Sequence, residues 1–125
     1  MPFQCPECST PGSLRITSRL ELPPDSRSDE ITLQVVKCSR CGFAGIAVYQ
    51  ESRRGALDSE SVDHTGYRVP AGDLKALEKV IKRCPRPSRW RCKCAAHRKL
   101  SRTDAWGRWN ALDDLRLEGA FEMKL

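Results

Sequence analysis

The seven cysteines of this 125-residue chain fall into two groups whose spacing suits metal chelation. Cys5-Pro6-Glu7-Cys8 and Cys38-Ser39-Arg40-Cys41-Gly42 are two Cys-x-x-Cys turns. A two-residue gap turns the chain tightly enough for both sulfurs to reach one ion at about 2.3 Å, and two such turns complete a tetrahedral cage around zinc. Four thiolates leave no coordination position open, so the chemistry expected of Cys5, Cys8, Cys38 and Cys41 is structural. Cys84, Cys92 and Cys94 are followed by His97 in a C-x7-C-x-C-x2-H pattern. Three thiolates and one imidazole are also a structural zinc set, and the surrounding Arg and Lys residues favour thiolates. His64, the only other histidine, could complete this second site in place of His97. Two zinc ions are therefore expected.

The segments between the first four ligands read as strands. Ser13 to Leu22 and Ile31 to Lys37 are rich in Leu, Ile, Val and Thr and flank the turn-forming run Pro23-Pro24-Asp25-Ser26-Arg27-Ser28-Asp29, which predicts a long hairpin. Phe43 to Tyr49 reads as a third strand, entered through Gly42, which is free to take a positive φ. With its paired knuckles, the stretch 1–50 resembles the zinc-ribbon family, common in transcription, translation and RNA-processing proteins. The resemblance implies a three-stranded antiparallel ribbon with Cys5, Cys8, Cys38 and Cys41 as ligands. Ser9 departs from the glycine that many ribbons place after the first knuckle, and serine also tolerates a tight turn. Ribbons of the transcript-cleavage type carry adjacent acidic residues at the hairpin tip that position a second metal in a polymerase. Asp29 and Glu30 are adjacent here, at the start of the returning strand, where a solvated turn explains them at least as well.

Beyond the ribbon, 51–65 reads as a polar surface connector and 66–125 as a small α+β portion, which makes the whole chain α+β. Gly66 to Val69 reads as a brief strand. Asp73 is placed to cap a helix running to about Arg83, with Leu74, Leu77 and Ile81 as its packing stripe and Pro85 beyond its end. Thr103 or Asp104 starts a second short helix in which Trp106, Trp109 and Leu112 face the core. Leu115, Leu117, Phe121, Met123 and Leu125 alternate as one face of a terminal strand. Such a strand needs a partner edge, within this chain or in a dimer.

Charge is uneven beneath a net value of +6. Lys82 to Arg102, inside the α+β portion, holds nine basic residues and no acidic one. That block attracts phosphate backbones, and an exposed indole in Arg89-Trp90-Arg91 offers a base a stacking face. The contact set expected for nucleic acid, DNA or RNA, is Arg83, Arg86, Arg89, Trp90, Arg91, Lys93, Arg98 and Lys99. The bland alternative pairs these cations with the acidic flanks. The functional expectation is a nucleic-acid-binding, ribonucleoprotein or transcription-associated module. Its competitor is a zinc-stabilised adaptor docking an acidic protein partner.

No Gly-rich phosphate loop, HExxH or serine nucleophile motif is present, so an enzyme is not expected. One arrangement bears on catalysis: Asp63-His64 and the later run Cys92 to Lys99 resemble a distorted HNH nuclease, which would make His64 the base and His97 a metal ligand. The second cysteine pair is CxC rather than CxxC, and no asparagine lies in 65–96. The odd, clustered cysteines argue for reduced thiols and a cytoplasmic setting. No apolar run reaches the length of a membrane span, and Met1-Pro2-Phe3-Gln4 lacks the features of a signal peptide.

Overall fold

Five strands pair in chain order into one antiparallel sheet: β1 (Leu14–Leu22), β2 (Glu30–Cys38), β3 (Ala44–Ser52), β4 (Ser61–Arg68) and β5 (Gly119–Glu122). Two helices, α1 (Ala71–Lys82) and α2 (Ala95–Leu100), and a 3-10 turn at Ala111–Asp114 lie between β4 and β5, so the fold is α+β. The structure is a computed structural model that describes residues 3–24, 30–52 and 61–124. The turn at 25–29, the connector's 53–60 and Leu125 lie outside the described residues.

Alternation sorts the strands into two faces. On β2, Ile31, Leu33 and Val35 join Ile46 and Val48 of β3 beneath α1 and α2, while Val36 and Cys38 join Ala47, Phe3, Leu14 and Met123 on the opposite face. β1 serves both faces because of a bulge. Its register passes from Ile16 opposite Val36 to Ser18 opposite Val35, leaving Thr17 as the extra residue. Leu14 and Ile16 therefore pack on one face and Leu20 and Leu22 on the other, although all four share one parity in the sequence.

α1 buries Leu74, Leu77 and Ile81 against the sheet, as its periodicity predicts. Its cap differs from expectation: Pro70 holds the N-cap position, and Asp73 lies in the first turn. The Asp73 carboxylate accepts from the Arg116 backbone N–H at 3.1 Å, tying the helix start to the C-terminal segment. Proline suits a helix start because one of the first four N–H groups would lack a partner anyway. Glu78 bridges Lys37 at 2.9 Å and Lys82 at 3.5 Å. Its carboxyl is held below the usual range, chiefly by the Lys37 hydrogen bond.

The helix expected from Thr103 or Asp104 does not form. Thr103 bridges Trp109 across a tight turn, in which Asp104 Oδ1 accepts from the N–H groups of Trp106 (2.8 Å) and Arg108 (3.0 Å). An aspartate carboxylate that captures nearby N–H groups competes with a helix, and Gly107, at φ 76°, closes the turn. Trp106 is consequently 83% exposed rather than core, whereas Trp109 is half-buried and donates its indole N–H to the Leu100 carbonyl at 2.6 Å.

β4 begins at Ser61, inside the span read as connector and before the expected start at Gly66. Its polar residues pair with the waiting edge of β3, from Ser61 opposite Ser52 to Tyr67 opposite Ile46. Backbone pairing needs no apolar side chains, which is why composition hides this strand. β5 finds its partner edge inside the chain, with Thr65 to Arg68 opposite Glu122 to Gly119. The predicted single apolar face is split: Leu115 packs on the helix side, Leu117 is 43% exposed, and Phe121 and Met123 pack on the other face. The 3-10 turn and Gly119, at φ 149°, break the alternation. Phe3 pairs with Leu14 while the Gln4 N–H reaches the Lys124 carbonyl at 2.7 Å, which draws the two ends of the sheet together around the second face.

Gly66 allows this closure, since a Cβ there would run into the Phe121 ring. Gly66→Ala is expected to lose about 1 to 3 kcal/mol through overpacking. Thermal melting checks the size, and faster amide exchange confined to β5 checks the place.

Candidate metal centres

Cys5 and Cys8 lie on the N-terminal turn, Cys38 ends β2 and Cys41 lies in the turn before β3; one ligand atom from each falls within 4.8 Å of the others. Cys5 Sγ is 3.6 Å from Cys41 Sγ, and Cys8 Sγ is 3.7 Å from Cys38 Sγ. A tetrahedron with metal–sulfur bonds of about 2.3 Å has edges of about 3.8 Å, so the group fits one four-coordinate ion. Both turns aim N–H groups at sulfur: Glu7 at Cys5 (3.4 Å), Arg40 at Cys38 (3.3 Å) and Cys41 at Cys38 (3.4 Å). Both leave through left-handed backbone, at Ser9 (φ 59°) and Gly42 (φ 80°).

The Ser13 hydroxyl, 3.3 Å from Cys38 Sγ, outweighs burial and, with the N–H groups of Cys41 and Arg40, draws the Cys38 thiol down to about 6. The Thr10 hydroxyl lowers Cys8. At Cys41 the Phe43 N–H works downward, but burial and the sulfurs of Cys5, Cys38 and Cys8 push the thiol up to about 12. Glu7, between the first two ligands, pairs with Arg68 of β4 at 2.6 Å, and that guanidinium lies over the Phe43 and Phe121 rings at 5.6 and 5.7 Å. The first cage is thereby tied to β4, on the far side of the sheet from β1.

The second group joins Cys84, just beyond α1, with Cys92, Cys94 and His97, again with ligand atoms within 4.8 Å of one another. His97 Nδ1 lies 3.3 Å from both Cys84 Sγ and Cys94 Sγ, and Cys84 Sγ is 3.9 Å from Cys92 Sγ. His97 Nε2 is 2.8 Å from the Glu21 carbonyl of β1. A carbonyl only accepts, so Nε2 carries the proton and Nδ1 turns its lone pair toward the sulfurs. Glu21 also donates its N–H to the Pro87 carbonyl at 2.8 Å, so the free edge of β1 holds this cage at two points. Cys94 Sγ accepts from the His97 N–H at 3.4 Å and caps α2, a helix with no apolar periodicity to announce it. Burial pushes the Cys84 thiol up to about 11. At Cys94 burial pushes upward too, but the N–H and ring of His97 and the sulfurs of Cys84 and Cys92 bring it down to about 6. Both groups could thus hold a metal ion, with donor sets compatible with zinc.

His64 is not part of the second group. It sits on the opposite face of the sheet, its Nε2 2.7 Å from Gln34 Oε1 and its ring edge-on to Phe3 and Tyr49. Burial lowers its pKa, opposed by the Asp63 charge. His97→Ala is expected to reduce the metal content from two ions per chain to one, and His64→Ala to leave it at two; elemental analysis after gel filtration checks both. Of the adjacent acidic pair, Glu30 is exposed at the start of β2 and Asp29 lies outside the described residues.

Arg83, Arg86, Arg89, Trp90, Arg91, Lys93, Arg98 and Lys99 are all exposed around the second group. Among the described residues no carboxylate pairs with these cations, contrary to the pairing with acidic flanks that the sequence also allowed. The Arg91 guanidinium lies over the Trp90 ring at 4.8 Å. Two supporting contacts, Ser13 to Cys38 and the Glu21 carbonyl to His97, escaped the sequence reading. A main-chain carbonyl has no signature in residue type, and serine beside a strand is commonplace. Among the described residues no helix is long and apolar enough to cross a membrane. Compared with protein-family models, curated proteins and solved structures, the chain matches none.

Proposed function

We propose that this chain is a small zinc-stabilised module that binds nucleic acid through the basic surface built on its second cage. The stretch 1–50 is read as a zinc ribbon and both ions as zinc, on the strength of the paired Cys-x-x-Cys turns and thiolate-rich donors. The observation that carries the reading is the set of exposed cations, without carboxylate partners among the described residues, beside a partly exposed indole. Unpaired cations on a rigid support present a positive field to phosphates, and the indole offers a base a π-face. The cages act as staples: Cys84, Cys92 and Cys94 fix the chain that carries Arg86 to Lys93, and His97 fixes α2, which carries Arg98 and Lys99.

The role is binding without catalysis, because four-donor cages leave no open position for a reacting water. The setting is a reduced compartment such as the cytoplasm, consistent with seven free thiols. Fluorescence anisotropy of the zinc-loaded protein against single- and double-stranded DNA and RNA, across salt, tests the reading. Binding that weakens steeply with salt and is lost on charge reversal within 83–99 supports it. Absence of binding at low salt sinks it and turns attention to an acidic protein partner.

A further inference from the structure

Trp90 is the wall between two grooves of opposite charge. On one side a groove of about 450 Å³ is lined by Pro23, Trp90, Arg91, Lys93 and Arg98, with Cys92 and His97 of the second cage in its floor. On the other side a groove of about 370 Å³ is lined by Glu21, Glu30, Thr32, Tyr49 and Trp90. Among the described residues neither Glu21 nor Glu30 has a cationic partner. The indole is 41% exposed, and the Arg91 guanidinium already stacks on it. We infer that this place binds a single-stranded nucleic acid, with an unpaired base against Trp90, its phosphates in the basic groove and its amino-bearing edge toward the acidic one.

The inference rests on the nucleic-acid reading above and narrows it. A duplex keeps its bases inside the stack, so it could offer the indole a base only by paying to unstack it. Single strands present their bases freely, and stacking on an aromatic ring tolerates any base. Charge sets the orientation. Phosphates are drawn toward Arg91, Lys93 and Arg98 and repelled by Glu21 and Glu30. Carboxylates accept hydrogen bonds from exocyclic amino groups, which cytosine and adenine carry and thymine and uracil lack. Because the basic groove stands on Cys92 and His97, loss of the second ion dismantles it.

The experiment is fluorescence anisotropy with the full zinc-loaded chain, on short single strands of alternating C and A and of T alone, the RNA counterparts with U for T, and a duplex of mixed sequence. The single strand of C and A is expected to bind more tightly than the duplex and than T alone. Trp90→Ala should weaken it about ten- to hundredfold while Trp90→Phe stays near the parent. Both variants should keep two ions and the parent circular dichroism, so a folding defect is recognised. RNA and DNA arms that differ identify the polymer without altering the site. Equal affinity for duplex and single strand, an unaffected Trp90→Ala, or equal affinity for T alone would overturn the inference. If duplex and single strand bind alike and both need the basic cluster, the broader reading survives without it; if no strand binds, both fall.

Discussion

A chelator that strips both ions is expected to unfold this chain rather than loosen it. Structural zinc contributes about 10 to 16 kcal/mol of apparent binding free energy in zinc-finger peptides, while a whole domain is stable by only about 5 to 15 kcal/mol. The connectivity says why the loss spreads. The first cage clamps the N-terminal turn onto the β2–β3 turn, and Phe3 and Gln4, just before Cys5, bring the sheet ends together. The second clamps 84–97 onto the β1 edge through His97 and Pro87. Cys38→Ser or Cys94→Ser should remove one cage each and lower the melting temperature by well over ten degrees, as expected for a loss of several kcal/mol in a chain of this size. Unchanged far-UV circular dichroism and melting after chelation, with metal removal verified by elemental analysis, would refute this.

The pH dependence of metal loading has a definite sign. Metal requires thiolates, and the folded surroundings of Cys41 (about 12) and Cys84 (about 11) favour the protonated thiol near neutrality, so loading must expel those protons. Affinity therefore rises with pH across the neutral range. Cys38 and Cys94, at about 6, are largely thiolates at pH 7 and take up protons only as pH falls through that value. The fall in affinity should steepen below about pH 6 as these two additional protons begin to compete. A competing chelator titrated at several pH values reads the slope.

The second large effect is reversal of charge beside Trp90. Each phosphate neutralised on a single strand contributes about −0.7 to the slope of log affinity against log salt. If about four are engaged, affinity should drop about fiftyfold between roughly 50 and 200 mM salt. Replacing Arg91, Lys93 and Arg98 with Glu removes three such contacts and adds repulsion, so a loss on the order of a hundredfold at low salt is expected, with a flatter slope. These side chains are exposed, so the variant should keep its fold, and elemental analysis checks that it still carries two ions. Binding that survives the reversal, or a slope near zero, would refute the electrostatic interface. Competition by an acidic protein without nucleic-acid binding would instead favour the adaptor role.

Ligand chemistry was open to reading because cysteine spacing is a local property. A two-residue gap limits where the sulfurs of each Cys-x-x-Cys turn can go whatever the rest of the chain does, and the clustering of Cys84, Cys92, Cys94 and His97 works in the same local way; both candidate groups assemble from these residues. The α1 stripe of Leu74, Leu77 and Ile81 was equally legible, since helical periodicity reports burial directly. What escaped depended on partners distant in sequence. α2 has six residues and is started by a cysteine sulfur, so no apolar pattern marked it. Trp106 sits at a helical interval from Trp109, but the Asp104 carboxylate captured the N–H groups that a helix would have used. β4 is polar and became visible only when β3 offered it an edge.

By itself the sequence determined the α+β composition, the seven cysteine donors in their two groups and the basic block that carries Trp90, because these follow from residue type and short spacing. Tertiary structure decided the bulge at Thr17 that turns Leu14 and Leu20 to opposite faces, and the choice of His97 over His64. It also decided the placing of Trp90 between a basic and an acidic groove. Each of these turns on which backbone edge or carbonyl lies opposite, a contact between residues far apart in the chain that local pattern does not encode.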